Sequence, residues 1–159
     1  MNMNQLAMNA GRVGQVIISD EFYIYTTGRP AVGLALLGTS TTNIQIQVDS
    51  DFLIEKMSFN ADLAGAAQTE TSRVLPNVNV LLTNTASGRN LMNVQFPLTG
   101  VFGGGELPFI LPRQYLLPGS STLQIQLVSF EAVSVPFITL NFIGRKLYWS
   151  PENQQPGQR

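Results

Sequence analysis

The residues of this chain that could do chemistry are its ten carboxylates, a glycine triplet and one Tyr-Trp pair. Asp49-Ser50-Asp51 could offer oxygen ligands to a hard cation, with Asp20, Glu21 or Glu55 as further donors. A calcium loop also needs a glycine at its sharp turn and a bidentate glutamate at fixed spacing, and neither is present. The segment therefore reads as a turn carrying two solvated acids. Two of the carboxyl groups could act as the acid and base of a glycosidase, but a sugar-cleaving groove is usually lined by several tryptophans and the chain has only Trp149. Gly103-Gly104-Gly105 is followed by Glu106-Leu107-Pro108, not by the Lys-Ser/Thr of a phosphate-binding loop. The triplet fits a flexible loop or a close approach of two backbones. Tyr148-Trp149 could stack on a sugar, anchor an interface or pack at a strand end.

Histidine and cysteine are absent. Their absence removes Ser–His–Asp and Cys–His catalysis, disulfides and thiolate metal sites. No catalytic residue, metal ligand or cofactor-binding residue is assigned, and the chain is expected not to be an enzyme.

Charged residues make up 12% of the sequence and hydrophobic ones 44%, where an ordinary soluble domain is about 25% charged. The polar faces must be built from Asn, Gln, Ser and Thr. Lys56 and Lys146 are the two lysines; the other cations are arginines. Interfaces are poor in Lys and Glu and rich in Arg and aromatics, so this composition suits a surface that neighbours cover. With a net charge of −1 and its cations scattered, the chain lacks the concentrated positive field that nucleic acid requires. Arg145-Lys146 is the one adjacent basic couple and is expected on an exposed strand edge. Met1–Gly14 has no cationic start and no apolar core of the kind a signal peptide needs. The apolar stretch Ala31–Leu37 is far short of the ~18 residues that span a bilayer. Assembly in a cytoplasm, with no membrane partner, is the expectation.

The elements that must position these residues are short strands. Val13–Ser19 and Glu21–Thr27 read as a first pair, then Ala31–Leu37. Thr42–Val48 places Ile44, Ile46 and Val48 on one face, and Asn43, Gln45 and Gln47 on the other. In Phe52–Asn60, Phe52 and Ile54 lie on one phase and Met57 and Phe59 on the other, which predicts a bulge at Glu55-Lys56. Residues Ala61–Arg73 could be a short helix or a long loop. Strands follow at Asn77–Thr83, Leu91–Phe96, and Phe109–Leu111 with Tyr115–Leu117 around Pro112. Pro97–Leu107 reads as loop. A Pro118-Gly119-Ser120 turn leads into Thr122–Phe130, and Phe137–Tyr148 closes the fold with a break at Gly144. Thr42–Ser50 and Thr122–Ser129 resemble each other, as two amphipathic Gln-rich strands would; duplication of a half-sandwich is the other reading.

This succession predicts an all-β protein, an antiparallel two-sheet β-sandwich at residues 13–149, between arms at 1–12 and 150–159. A jelly roll is the expected connectivity, although periodicity alone does not separate it from an immunoglobulin-like order. Polar arms gain order by being buried, so extended arms clasping neighbouring subunits are expected.

The segment LPFILPRQYLLPGSSTLQIQLVSF (Leu107–Phe130), followed by ITLNFIGRKLYW (Ile138–Trp149), resembles a pattern in small virion proteins of tailed bacteriophages. The matching residues are Phe109, Pro112, Arg113, Tyr115 to Ser120, Phe142, Gly144 and Lys146. The resemblance covers roughly the last third of the chain and implies a jelly-roll or sandwich module on or beside the capsid, as a decoration, cement or head-associated component. It implies a virion location, with the major capsid protein or other virion proteins as partners and homo-oligomers besides. It brings no catalytic residues. Arg113, Tyr115, Tyr148 and Trp149 are the expected interface residues. A carbohydrate- or receptor-binding module of a tail or fibre is the alternative, and a β-sandwich hydrolase a third.

Overall fold

The computed structural model describes Arg12 and residues 15–27, 37–62, 74–130 and 137–151. Among them lie ten strands: β1 Gln15–Thr26, β2 Thr39–Gln45, β3 Asp51–Asp62, β4 Val78–Asn84, β5 Arg89–Asn90, β6 Phe96–Pro97, β7 Gly103–Gly104, β8 Phe109–Leu117, β9 Thr122–Ser129 and β10 Phe137–Pro151. A one-turn helix spans Leu98–Val101. One sheet runs β1-β10-β3, with β8 and β7 beside β3; the other runs β2-β9-β4, with β5 and β6 beside β4.

The pairing is nested. β1 pairs with β10, β2 with β9, β3 with β8, and β4 with the interrupted strand made by β5 and β6, all antiparallel. First pairs with last and each inner pair repeats the rule, so the chain is one long ribbon folded over on itself. This is the jelly-roll order, and it places ribbon pairs alternately in the two sheets. The all-β sandwich expected from the sequence is the fold observed.

Period-2 patterning builds the core. β4 and β9 alternate buried and half-buried residues along their whole length. Val78, Val80, Leu82, Leu123, Ile125 and Leu127 face Phe52, Ile54, Met57, Phe59, Leu140 and Phe142 of the opposite sheet in one cluster. Phe52 and Ile54 stay in register with Met57 and Phe59 because Glu55 is an extra residue. On the β10 side, Gly144 pairs with Ile54 and Ile143 with Lys56, which skips Glu55. The bulge predicted at Glu55-Lys56 is therefore real, and it turns both phases of β3 inward. Gly144 stands opposite it because a Cβ there would overlap the Leu53 carbonyl oxygen.

Several expectations are corrected. Val13–Ser19 and Glu21–Thr27 are not a strand pair: residues 15–26 form one continuous strand, since Asp20 and Glu21 both have partners on β10 and impose no turn. Val48 does not follow Ile44 and Ile46 inward but is 80% exposed, because β2 ends at Gln45 and Val48 lies in a turn. Leu91–Phe96 is mostly bends, with pairing only at its end. Gly144 bends the closing strand without breaking it. Arg12 and Ser150, placed in the arms, belong to the sandwich: Arg12 pairs with Asp51, and Ser150 pairs with Val16. Pro151, also placed in an arm, ends β10 opposite Gln15, while residues 1–11 and 152–159 of the arms, and the segments at 31–36 and 63–73, lie outside the described residues. The two similar segments are neighbours, β2 and β9 lying side by side.

Candidate interaction surface

The expected site residues do not converge. Arg113 is exposed on β8, beside Pro112. Here residues 111–114 stand opposite Glu55 alone, between the pairs Ile110·Lys56 and Tyr115·Ile54. This bulge carries Pro112 on the sheet edge, where its missing N–H costs no ladder bond. Tyr115 instead turns inward against the core, and the Asn84 side-chain amide donates to its hydroxyl at 3.3 Å. It is half-buried and packed against the core. Tyr148 donates to Glu21 Oε2 at 3.3 Å. Trp149 is half-buried on the outer face of the first sheet, against a small second cluster of Leu53, Leu147, Ile17 and Leu116. It is packed on its own sheet and offers no free-standing aromatic platform. Among the described residues, its indole Nε1 and Gln15 Oε1 are buried without a hydrogen-bond partner.

The residues of the resembling motif have structural work in this fold. Phe109 and Phe142 flank Met57 from either side, as Tyr115 and Gly144 flank Ile54. The Pro118–Ser120 turn is closed by Ser121 N–H on the Pro118 carbonyl at 3.1 Å, with Ser120 at φ 66°. Lys146, expected on an exposed edge, is buried at one end of the sandwich. Its ammonium lies 4.0 Å from the Tyr23 ring centroid and donates to Gln47 Oε1. Tyr23, Tyr25 and Phe52 form an aromatic group around it, with Tyr25 and Phe52 centroids 4.8 Å apart. Sequence reasoning missed Lys146 because a cation on a strand reads as outward unless its pairing partner is known.

The expected solvated turn at Asp49-Ser50-Asp51 is half right. Asp49 is exposed, but Asp51 is fully buried. Its Oδ1 accepts from the Gly119 amide at 2.7 Å and from Arg12 Nη2 at 3.2 Å, and its Oδ2 from Arg12 Nε at 3.4 Å, so both of its oxygens serve the fold. Among the described residues, no group of three or more acids could hold a metal ion, and no helix is long and apolar enough to cross a membrane.

What remains is the outer face of the first sheet. One row crosses four strands with charge: Asp20 on β1, Arg145 on β10, Glu55 on β3 and Gln114 on β8. Arg145 Nη1 donates to Asp20 at 2.6 Å and its Nε to Glu55 at 2.9 Å, while the Gln114 amide donates to Glu55 at 3.0 Å. Its guanidinium is held above the usual arginine range chiefly by the Asp20 bond. The bulge thus aims Glu55 outward to tie β8 to β10. The next row is apolar. Ile24 pairs with Ile143, Ile143 with Lys56, and Lys56 with Ile110. Phe22 stands beside it at 71% exposure, and Ile110 at 68%. Three isoleucines and a phenylalanine, with one lysine, thus lie together as an apolar patch on the outer face of the sheet.

Compared with known proteins, the chain matches no family model, no curated protein and no solved structure.

Proposed function

We propose that this chain is a non-enzymatic structural subunit of a bacteriophage virion, an auxiliary capsid component of the decoration or cement kind that binds neighbouring subunits. The observation that carries this reading is the outer face of the β1-β10-β3-β8 sheet, where Phe22, Ile24, Ile143 and Ile110 lie together. In a chain with only 12% charged residues, such a face is costly to leave in water and favourable to bury against protein. Jelly rolls recur in viral capsids because folding the ribbon over leaves a compact block with few open edges. The resemblance in residues 107–149 adds the phage assignment. Binding through apolar area rather than charge depends weakly on salt.

The polar arms supply a second set of contacts. The test removes residues 1–11 or 152–159, which leaves the Arg12–Asp51 pair and all of β10 intact, and measures binding to empty capsids. Weaker binding by a shortened chain with unchanged circular dichroism supports the arm contacts; unchanged binding removes them.

A further inference from the structure

We propose that two copies of this chain join edge to edge through β1, antiparallel about a two-fold axis at Tyr23, so that their first sheets become one continuous sheet. The inference rests on the reading of the chain as an assembly subunit and names one of its partners as a second copy of itself.

β1 is an open edge. Among the described residues, eleven of its twelve positions, all but Ile18 at the register shift, pair with β10, and none pairs with another strand. The Thr27 amide bonds the Leu140 carbonyl at 3.0 Å, in step with the register Thr26·Asn141 and Tyr25·Phe142. Since N–H and C=O groups alternate sides along an antiparallel strand, the odd-numbered residues from Tyr23 to Thr27 bond β10. Phe22, Ile24 and Thr26 then direct their backbone donors and acceptors away from the sheet.

The other strand bordering this sheet is blunted, and β1 is not. β8 carries Pro112 and the bulge at 111–114, which are standard protections of an edge. β1 has no proline or lysine, and its one irregularity lies at Ile17/Ser19, outside the segment that would pair. That segment also exposes apolar side chains: Phe22 at 71% and Ile24 at 43%.

Charge selects the register. Residues directly opposite each other share a face, so the two-fold must pass through a residue. An axis at Glu21 would set the two Glu21 carboxylates against each other. An axis at Phe22 would place Asp20 opposite Ile24 of the second copy. An axis at Tyr23 places Phe22 opposite Ile24, Glu21 opposite Tyr25 and Asp20 opposite Thr26. No acid then faces an acid or an aliphatic side chain. Phe22 and Ile24 fall on the narrow, doubly hydrogen-bonded pairs, and the apolar row at Ile24 and Ile143 continues across the junction into the second copy.

The test uses the full-length chain, whose lack of cysteine makes introduced thiols unambiguous. Sedimentation of the wild type should show a concentration-dependent dimer, and Phe22→Lys with Ile24→Lys, both on the exposed outer face, should return it to a folded monomer that melts like the wild type diluted below its dimerisation range. In oxidising conditions a mixture of F22C and I24C chains should form a disulfide between copies, because opposed Cα atoms in such a pair lie about 5.5 Å apart, within disulfide reach. Each variant alone should not. A wild type that stays monomeric at high micromolar concentration overturns the proposal, as does a dimer indifferent to both lysines or an F22C chain that links to itself. If the edge takes a strand from a different protein, the purified chain is monomeric; the pairing is then overturned, while the capsid-binding measurement still decides the assembly reading separately.

Discussion

Asp51, wholly buried at the start of β3, accepts a 2.7 Å hydrogen bond from the amide of Gly119, 68 residues further along the chain. The same carboxylate holds Arg12, so one side chain ties the entry to β1 and the β8–β9 turn to the strand between them. Gly119 is required at this contact: a Cβ would stand 2.9 Å from the Ser50 carbonyl. Replacing Asp51 by Ala leaves a buried amide without its acceptor and should cost about 2–3 kcal/mol. Asp51→Asn keeps an acceptor for Gly119 and loses the ionic part of the Arg12 contact, at about 1 kcal/mol. Urea unfolding should show the midpoint falling in that order with the slope unchanged.

Gly144 allows the β3 bulge. An added methyl would overlap the Leu53 carbonyl, whereas at Gly104 it meets nothing within 4 Å. Gly144→Ala should cost about 3 kcal/mol by forcing β10 off β3, and Gly104→Ala should stay within about 0.5 kcal/mol of wild type. Thermal melts of the two variants side by side check this.

Lys146 is a buried cation held by a tyrosine face and an amide, and its stem fills space between the sheets. Lys146→Met preserves the stem and removes the desolvated charge, so its stability should lie within about 1 kcal/mol of wild type. Lys146→Ala removes the packing as well and should cost about 2 kcal/mol. If Met were as damaging as Ala, the charge itself would be the stabilising element.

Tyr25 gives the fold an alkaline limit. Burial, first of all, pushes its hydroxyl above the ordinary value of 10.0, opposed by the Gln47 amide that donates to it. A raised folded-state value means that the neutral phenol is favoured in the folded chain. Its contribution is complete below the ordinary tyrosine range and is lost as pH rises through the folded value. Stability should fall above that range in wild type and fall less in Tyr25→Phe, read by urea midpoints against pH with phenolate absorbance as the second signal.

Much of this architecture is legible in the sequence because alternation reports which way a side chain points. β4 and β9 are readable residue by residue, and the phase change between Ile54 and Met57 marks the bulge. What alternation does not report is which strand lies alongside. The strands expected at Val13–Ser19 and Glu21–Thr27 part at Asp20; in the folded chain Asp20 and Glu21 each meet a β10 residue, Arg145 and Tyr148, and the strand runs on. Lys146 looked exposed for the same reason. Nor does alternation show that Tyr115 and Trp149, both half-buried, pack against clusters drawn from several strands. The outer apolar row was hidden because Ile24, Ile110 and Ile143 come from three strands far apart in sequence, and only their pairing through β3 and β10 makes them a surface.

The most direct check on a role in assembly is the fate of the chain when virus particles are purified from cells that produce it. Mass spectrometry of gradient-banded particles should find the chain in fixed proportion to the major capsid protein, and it should stay bound through a high-salt wash because its contacts are apolar. A chain found only as free protein at the top of the gradient would contradict the account.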